Sequence, residues 1–295
     1  MNWLWVIFTV TAAAGQTARN AMQRELTPKL GAAGATHVRF LFGFPFALLF
    51  LALVLIVTGD RIPAPRGEFW FWLLLGALTQ ICGTALMLMT MTLRSFVVTT
   101  AYLKTEPLQV AAFGLLLLGD ALKLPTLAAI LIATAGVMLI SYAPGGLRGG
   151  VKPALLGLAA AACFALSSVG YRGAITSLTA HDFVIAATFS LAVGLVVQTA
   201  VLSAWLAVRE PSVLAAILKL WRPSMFAGFM GAAASEFWFL AFALASAASV
   251  RTLGLIDVIF AQAMTHYLFK QKTTARELSG VALVTIGCVL LVWTH

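Results

Sequence analysis

Charge is what this sequence has least of. Asp, Glu, Lys and Arg make up 10% of the 295 residues, where a soluble domain carries about 25%. With 61% hydrophobic residues, the chain has too little polar surface to face water all round, so a soluble globular protein is excluded and lipid is the solvent. Three cysteines, Cys82, Cys163 and Cys288, each sit in an apolar run. Their odd number and spacing exclude a disulfide framework or a cysteine metal site. H-E-x-x-H, G-x-S-x-G and P-loop motifs are all missing, which removes the recognisable intramembrane hydrolases and ATP-driven pumps. We expect no enzyme, no cofactor and no metal. The net charge of +9 comes from basic residues scattered singly, without the aromatic interleaving of a nucleic-acid groove, so no nucleic-acid partner is expected.

Long apolar runs are what is there. A bilayer-crossing helix needs about 20 mostly apolar residues. Ten such segments are expected, over residues 3–23, 35–57, 68–92, 95–118, 124–143, 153–175, 182–207, 222–244, 247–269 and 275–294. The opening MNWLWVIFTV lacks a basic leader and a small-residue cleavage site, and reads as the first span. Short connections such as TGDRIPAPRGE and REPSV carry turn chemistry. The Gly/Pro-rich APGGLRGGVKP falls near the midpoint and divides the chain into 1–145 and 146–295.

These halves read as copies. ATAGVMLI (Ala133 to Ile140) aligns with VTIGCVLL (Val284 to Leu291), an offset that sets Glu106 opposite Asp257. TARNA aligns with GYRGA, which sets Arg19 opposite Arg172. A duplicated unit with five spans must cross the membrane in the opposite sense. The expected fold is therefore all-α: ten transmembrane helices as two inverted five-helix repeats around a central cavity.

The pattern resembles the drug/metabolite transporter superfamily, in particular its ten-helix EamA-type members. The residues that carry it are the arginine of HVRFLFGFPFALL, the run EPLQVAAFGLLLLGD, and the small-residue endings ILIATAGVMLI and ALVTIGCVLLV. The resemblance spans essentially the whole chain and implies export of a small metabolite.

The segment AYLKTEPLQV sets Lys104, Glu106 and Pro107 inside an apolar run. Two ionic side chains at mid-helix cost on the order of 5–7 kcal/mol, which about cancels the apolar gain of one span. Such groups face a bundle interior or a wet cavity. Glu106 shares a helical face with Thr99, Tyr102, Gln109 and Phe113, while Lys104 lies about 200° around the helix and is not its simple partner. Pro107 removes a helical hydrogen bond and should act as a hinge beside Glu106.

Three acids lie well inside the expected spans, Glu106, Glu236 and Asp257, with five bases, Arg19, Arg39, Lys104, Arg172 and Arg251. Gln80, Gln262 and His266 add polar groups, and Trp238 and Phe239 flank Glu236. Arg19 and Arg172 read equally as end-of-helix anchors, Trp238 and Phe239 equally as packing, and Lys104 alternatively as a structural partner of Asp257 or Glu236. Taken as a transport site, the set suits an amino acid: Glu106 or Asp257 for the ammonium, Lys104 for the carboxylate, and Tyr102, Trp238 and Phe239 for the side chain. Lipophilic-cation efflux and an enzyme acting on lipid-linked substrates are the alternatives. The partners expected are the small-molecule substrate and the lipid bilayer of the cytoplasmic membrane, with the protein a monomer. Because the acids share the membrane with five bases, movement down the substrate's own gradient is expected rather than proton antiport. The connections on the odd side carry eleven basic residues (Arg24, Lys29, Arg94, Arg148, Lys152, Arg209, Lys219, Arg222, Lys270, Lys272, Arg276) and the even side three (Arg61, Arg66, Lys123). That bias places both termini outside, whereas the resemblance implies both inside.

Overall fold

Hydrocarbon leaves a backbone two ways to satisfy its polar groups, helices and closed barrels, and this chain takes the first. The computed structural model describes residues 3–93, 96–140, 151–180, 182–260 and 274–294, without the side chains of 18, 20–25, 27, 96, 97 and 223. Among the described residues there is no strand. Twelve α-helices follow in order: α1 (Leu4–Leu41), α2 (Phe44–Thr58), α3 (Gly67–Leu93), α4 (Phe96–Leu103), α5 (Glu106–Phe113), α6 (Leu124–Ile140), α7 (Val151–Ser177), α8 (Phe183–Arg209), α9 (Pro211–Lys219), α10 (Trp221–Leu244), α11 (Ala247–Leu253) and α12 (Ala275–Thr294). A π-turn (Gly114–Leu118) extends α5, and a 3-10 turn (Gly254–Ile256) follows α11.

Among the described residues, six stretches are long and apolar enough to cross a membrane: Pro28–Thr58, Gly67–Leu93, Val151–Ser177, Phe183–Arg209, Ser224–Leu244 and Ala275–Thr294. Leu4–Thr17 and Leu124–Ile140 are shorter apolar helices. The 27-residue α3, α7 and α8 are each about 40 Å long against a hydrocarbon core of about 30 Å. Ile56, Val57, Leu116 and Trp293 are 76% to 83% exposed, tolerable in lipid and not in water. Trp3, Trp70, Trp221 and Trp293 are exposed, whereas Trp5 is 4% exposed and belongs to the core.

Local chemistry sets the helix ends. Asp182 caps α8 by accepting from the Val184 N–H at 3.0 Å. Thr274 and Glu277 form a reciprocal capping box at α12: the Thr274 N–H donates to Glu277 Oε2 at 2.7 Å, and Thr274 Oγ1 accepts from the Glu277 N–H at 3.3 Å. Two connections expected from the sequence are helical instead. The chain from 24 to 34 continues α1, broken at Gly31, whose φ of 69° and ψ of 177° are open to glycine. Residues 211–219 form α9 because proline is favoured in the first helical turn, where its missing N–H breaks no bond.

Contacts group the chain into two compact units, Met1–Ile81 with Gly170–Leu244, and Cys82–Val169 with Ala245–His295. Each unit draws on both sides of the 145/146 boundary expected from the sequence; most of the Gly/Pro-rich linker (residues 143–153) lies outside the described residues. In the first unit α1 packs along α10, with α8 and α2 beside them. In the second, α6 packs along α12, with α5 and α11 beside them.

The α6–α12 seam is where glycine matters. A Cβ on Gly136 would lie 2.7 Å from the Gly280 carbonyl oxygen and the Val284 nitrogen, and one on Gly287 would lie 2.7 Å from Ala133 Cβ. The two segments that align as repeat copies are thus packed backbone to backbone, the small-residue mode of helix association in lipid. Gly280→Val should cost about 1–3 kcal/mol by overpacking, because a Cβ there meets Ile140 Cγ1. Thermal unfolding in detergent should show a lowered midpoint, while Gly67→Val, with nothing within 4 Å, should leave it unmoved.

Candidate functional site

Pro107 sits in the first turn of α5, and the chain between α4 and α5 departs from regular helix at Lys104 and Thr105. The Lys104 N–H still reaches the Thr100 carbonyl at 3.0 Å, but Thr105 tightens to Tyr102 at 3.2 Å. The Thr105 hydroxyl also donates to that carbonyl, at 2.7 Å. The expected bend is present and starts α5 at Glu106. On the other side of the second unit, Ser246 caps α11, and the 3-10 turn delivers Asp257. Each acid therefore lies directly after an interruption in its helix.

Two ion pairs tie these elements together. Arg251 Nη2 donates to Glu106 Oε2 at 2.5 Å. Lys104 Nζ lies between both oxygens of Asp257, 2.6 Å from Oδ2. The pairs are crossed: the base of the α4–α5 segment takes the acid after α11, and the base of α11 takes the acid of α5. Glu106 is 6% exposed and also has the Ser168 hydroxyl 3.4 Å from Oε1. Of the two acids considered as structural partners of Lys104, Asp257 is the one it meets. The Arg251 partner of Glu106 was missed, although Arg251 is the base that the ninth segment carries within two turns of Asp257. Gln109, expected on the face of Glu106, donates to the Thr105 hydroxyl at 3.1 Å. Tyr102 packs onto Gly157, where a Cβ would lie 2.7 Å from its ring.

The first unit holds a separate polar group. Gln198 donates to Gln80 Oε1 at 2.8 Å and to the Ala77 carbonyl at 3.2 Å, and the Tyr171 hydroxyl donates to the same Gln80 oxygen at 3.2 Å. Trp238 and Phe239 are 5% and 4% exposed. Trp238 Nε1 donates to Gln16 Oε1 at 3.1 Å, and the Phe239 ring lies 4.5 Å from that of Tyr171. Arg172 Nη1 donates to the Phe242 carbonyl at 2.5 Å, close to the C-terminal end of α10, where a cation suits the exposed carbonyls. Arg19 is buried beside Gly231, with Arg39 on the same glycine. The Thr188 hydroxyl meets Glu236 Oε1. Gln262 and His266 lie outside the described residues.

Residues 3–142 match the model of the EamA-like transporter family. Over that segment the chain is similar to EamA-like transporters. A solved crystal structure shares the fold at a TM-score of 0.69 and 15% identity, covering 98% of this chain and 96% of that one. Among the curated proteins, none matches this sequence. The EamA-like segment contains Arg19, Gln80, Tyr102, Lys104, Glu106 and Pro107, whereas Arg172, Glu236, Trp238, Phe239 and Asp257 follow it. The match and the apolar helices support a multi-pass membrane transporter of small molecules.

Removing one member of a buried ion pair strands its partner, at about 3–5 kcal/mol. Arg251→Met should therefore lower the unfolding midpoint sharply. Arg251→Met with Glu106→Gln should recover most of the loss. Thermal unfolding of the wild type, the two single variants and the double variant measures the coupling, and additive losses would show that the pair is not energetically joined.

Proposed function

We propose that the chain is a secondary transporter of the cytoplasmic membrane that exports small amphipathic metabolites, amino acids first, by alternating access between inverted repeats (1–145 and 146–295). The observation that carries this reading is the crossed pair of ion pairs, Lys104–Asp257 and Arg251–Glu106. A zwitterion offers one ammonium and one carboxylate. It can insert into one pair, its ammonium taking the acid and its carboxylate taking the base, without leaving a bare charge in hydrocarbon. A lipophilic cation can do half of this. It would displace Lys104 or Arg251 from an acid and strand that base, which is why cation efflux is the lesser reading. The EamA-like match supports transport over the third alternative, an enzyme on lipid-linked substrates.

The roles follow. Glu106 and Asp257 receive the ammonium, Lys104 and Arg251 the carboxylate, and Pro107 marks the hinge. Tyr102 is the aromatic group of the same unit. Counterflow in proteoliposomes with a panel of labelled amino acids tests the reading, since an enzyme would give no saturable exchange. Lys104→Gln should raise the apparent KM for the amino acid about ten- to a hundredfold, from the loss of a charged hydrogen bond of about 1.5–3 kcal/mol. An unchanged KM, or improved uptake of a lipophilic cation with no amino-acid counterflow, would favour cation efflux instead.

A further inference from the structure

Two of the three intramembrane acids hold a base. Glu236 does not: among the described residues it has no ion pair, and its Oε2, shut off from solvent, has no hydrogen-bond partner. Its other oxygen meets Thr188 of α8, and there the protons can be counted. Thr188 Oγ1 lies 2.8 Å from the Val184 carbonyl oxygen and 2.5 Å from Glu236 Oε1. A hydroxyl has one hydrogen to donate, and a carbonyl oxygen can only accept. With the threonine hydrogen on Val184, the contact to Glu236 is a hydrogen bond only if the carboxyl carries a proton of its own.

The surroundings agree. The helices packed against α10 include α1, α2, α8 and α9, and α7 through Tyr171 and Arg172. Helix α2 has no charged residue. Helix α8 carries Arg209 at its far end and Asp182 at its cap, and α9 carries Lys219 in its last turn. On α1, Arg19 and Arg39 flank Gly231, more than one helical turn from Glu236, and His37 bonds Ser203 at 3.0 Å. Arg172 binds the Phe242 carbonyl, on the other side along α10. None of these forms an ion pair with Glu236.

We infer that Glu236 is a proton-binding site: its carboxyl holds a proton hydrogen-bonded to Thr188, and release of that proton in the alternate state couples transport to the proton gradient. No bond other than O–H is made or broken, and the proton enters from and leaves to water. This goes beyond the substrate reading, and it departs from the gradient-only movement expected from three acids sharing the membrane with five bases.

Two measurements test it on the full-length protein in lipid. Infrared difference spectra at neutral pH should show a protonated-carboxyl carbonyl band that Glu236→Gln removes, that Thr188→Val moves toward the position of an acid with no hydrogen bond, and that Thr188→Ser restores. Superimposable spectra for wild type and Glu236→Gln would overturn the proton site. In proteoliposomes with a labelled amino acid equal on both sides, an imposed pH step should drive net accumulation in wild type, and Glu236→Gln should abolish it. Counterflow without pH-driven accumulation would overturn the coupling even if the band is present. No counterflow with any amino acid would count against the proposed substrate, while the infrared result would still decide the proton site.

Discussion

A charge placed in hydrocarbon must be answered by the protein itself, and the α4–α5 segment shows how far that requirement reaches. With Lys104 and Glu106 both ionic, the segment gains little from lipid alone. It becomes tolerable because Asp257 and Arg251 meet those charges. The interruptions serve the same end. Pro107 and the 3-10 turn after α11 release the helices from strict register at the residues that must meet. The pairing that makes the fold possible is also the pairing that a substrate would have to open at the proposed site.

The three acids then divide by environment. Glu106 and Asp257 are held by bases and offer fixed charge, which suits recognition of a charged group. Glu236 has a hydroxyl and no base among the described residues, which suits a group that changes its own charge. In the proposed reading, specificity and energy coupling are carried by different side chains.

Much of the fold was legible because hydropathy in lipid is a strong signal. The runs at 68–92, 182–207 and 275–294 reappear as α3, α8 and α12 within two residues at each end. The aligned glycines Gly136 and Gly287 were legible as well, since close helix approach tolerates few other residues. What the residues could not disclose was partnership. Spacing along one helix excluded Lys104 as the partner of Glu106, and the structure agrees, but nothing local points from Glu106 to Arg251, 145 residues away. Trp238 and Phe239 read equally as a binding wall or as packing, and their burial against Gln16 and Tyr171 is a tertiary fact. Helix α9 and the continuation of α1 past residue 24 were lost because proline and glycine were taken as breaks, without regard to where in a helical turn they fall.

The central claim is that substrate engages both members of an ion pair, the acid and the base, so both of its charges must count. The direct measurement is competition against counterflow of one transported amino acid by the unlabelled amino acid, its carboxamide and its N-acetyl derivative. The account predicts that the parent competes well and that each blocked analogue, lacking one charge, competes at least tenfold more weakly. A carboxamide that competes as well as the parent would show that one acid suffices, and would contradict the paired site.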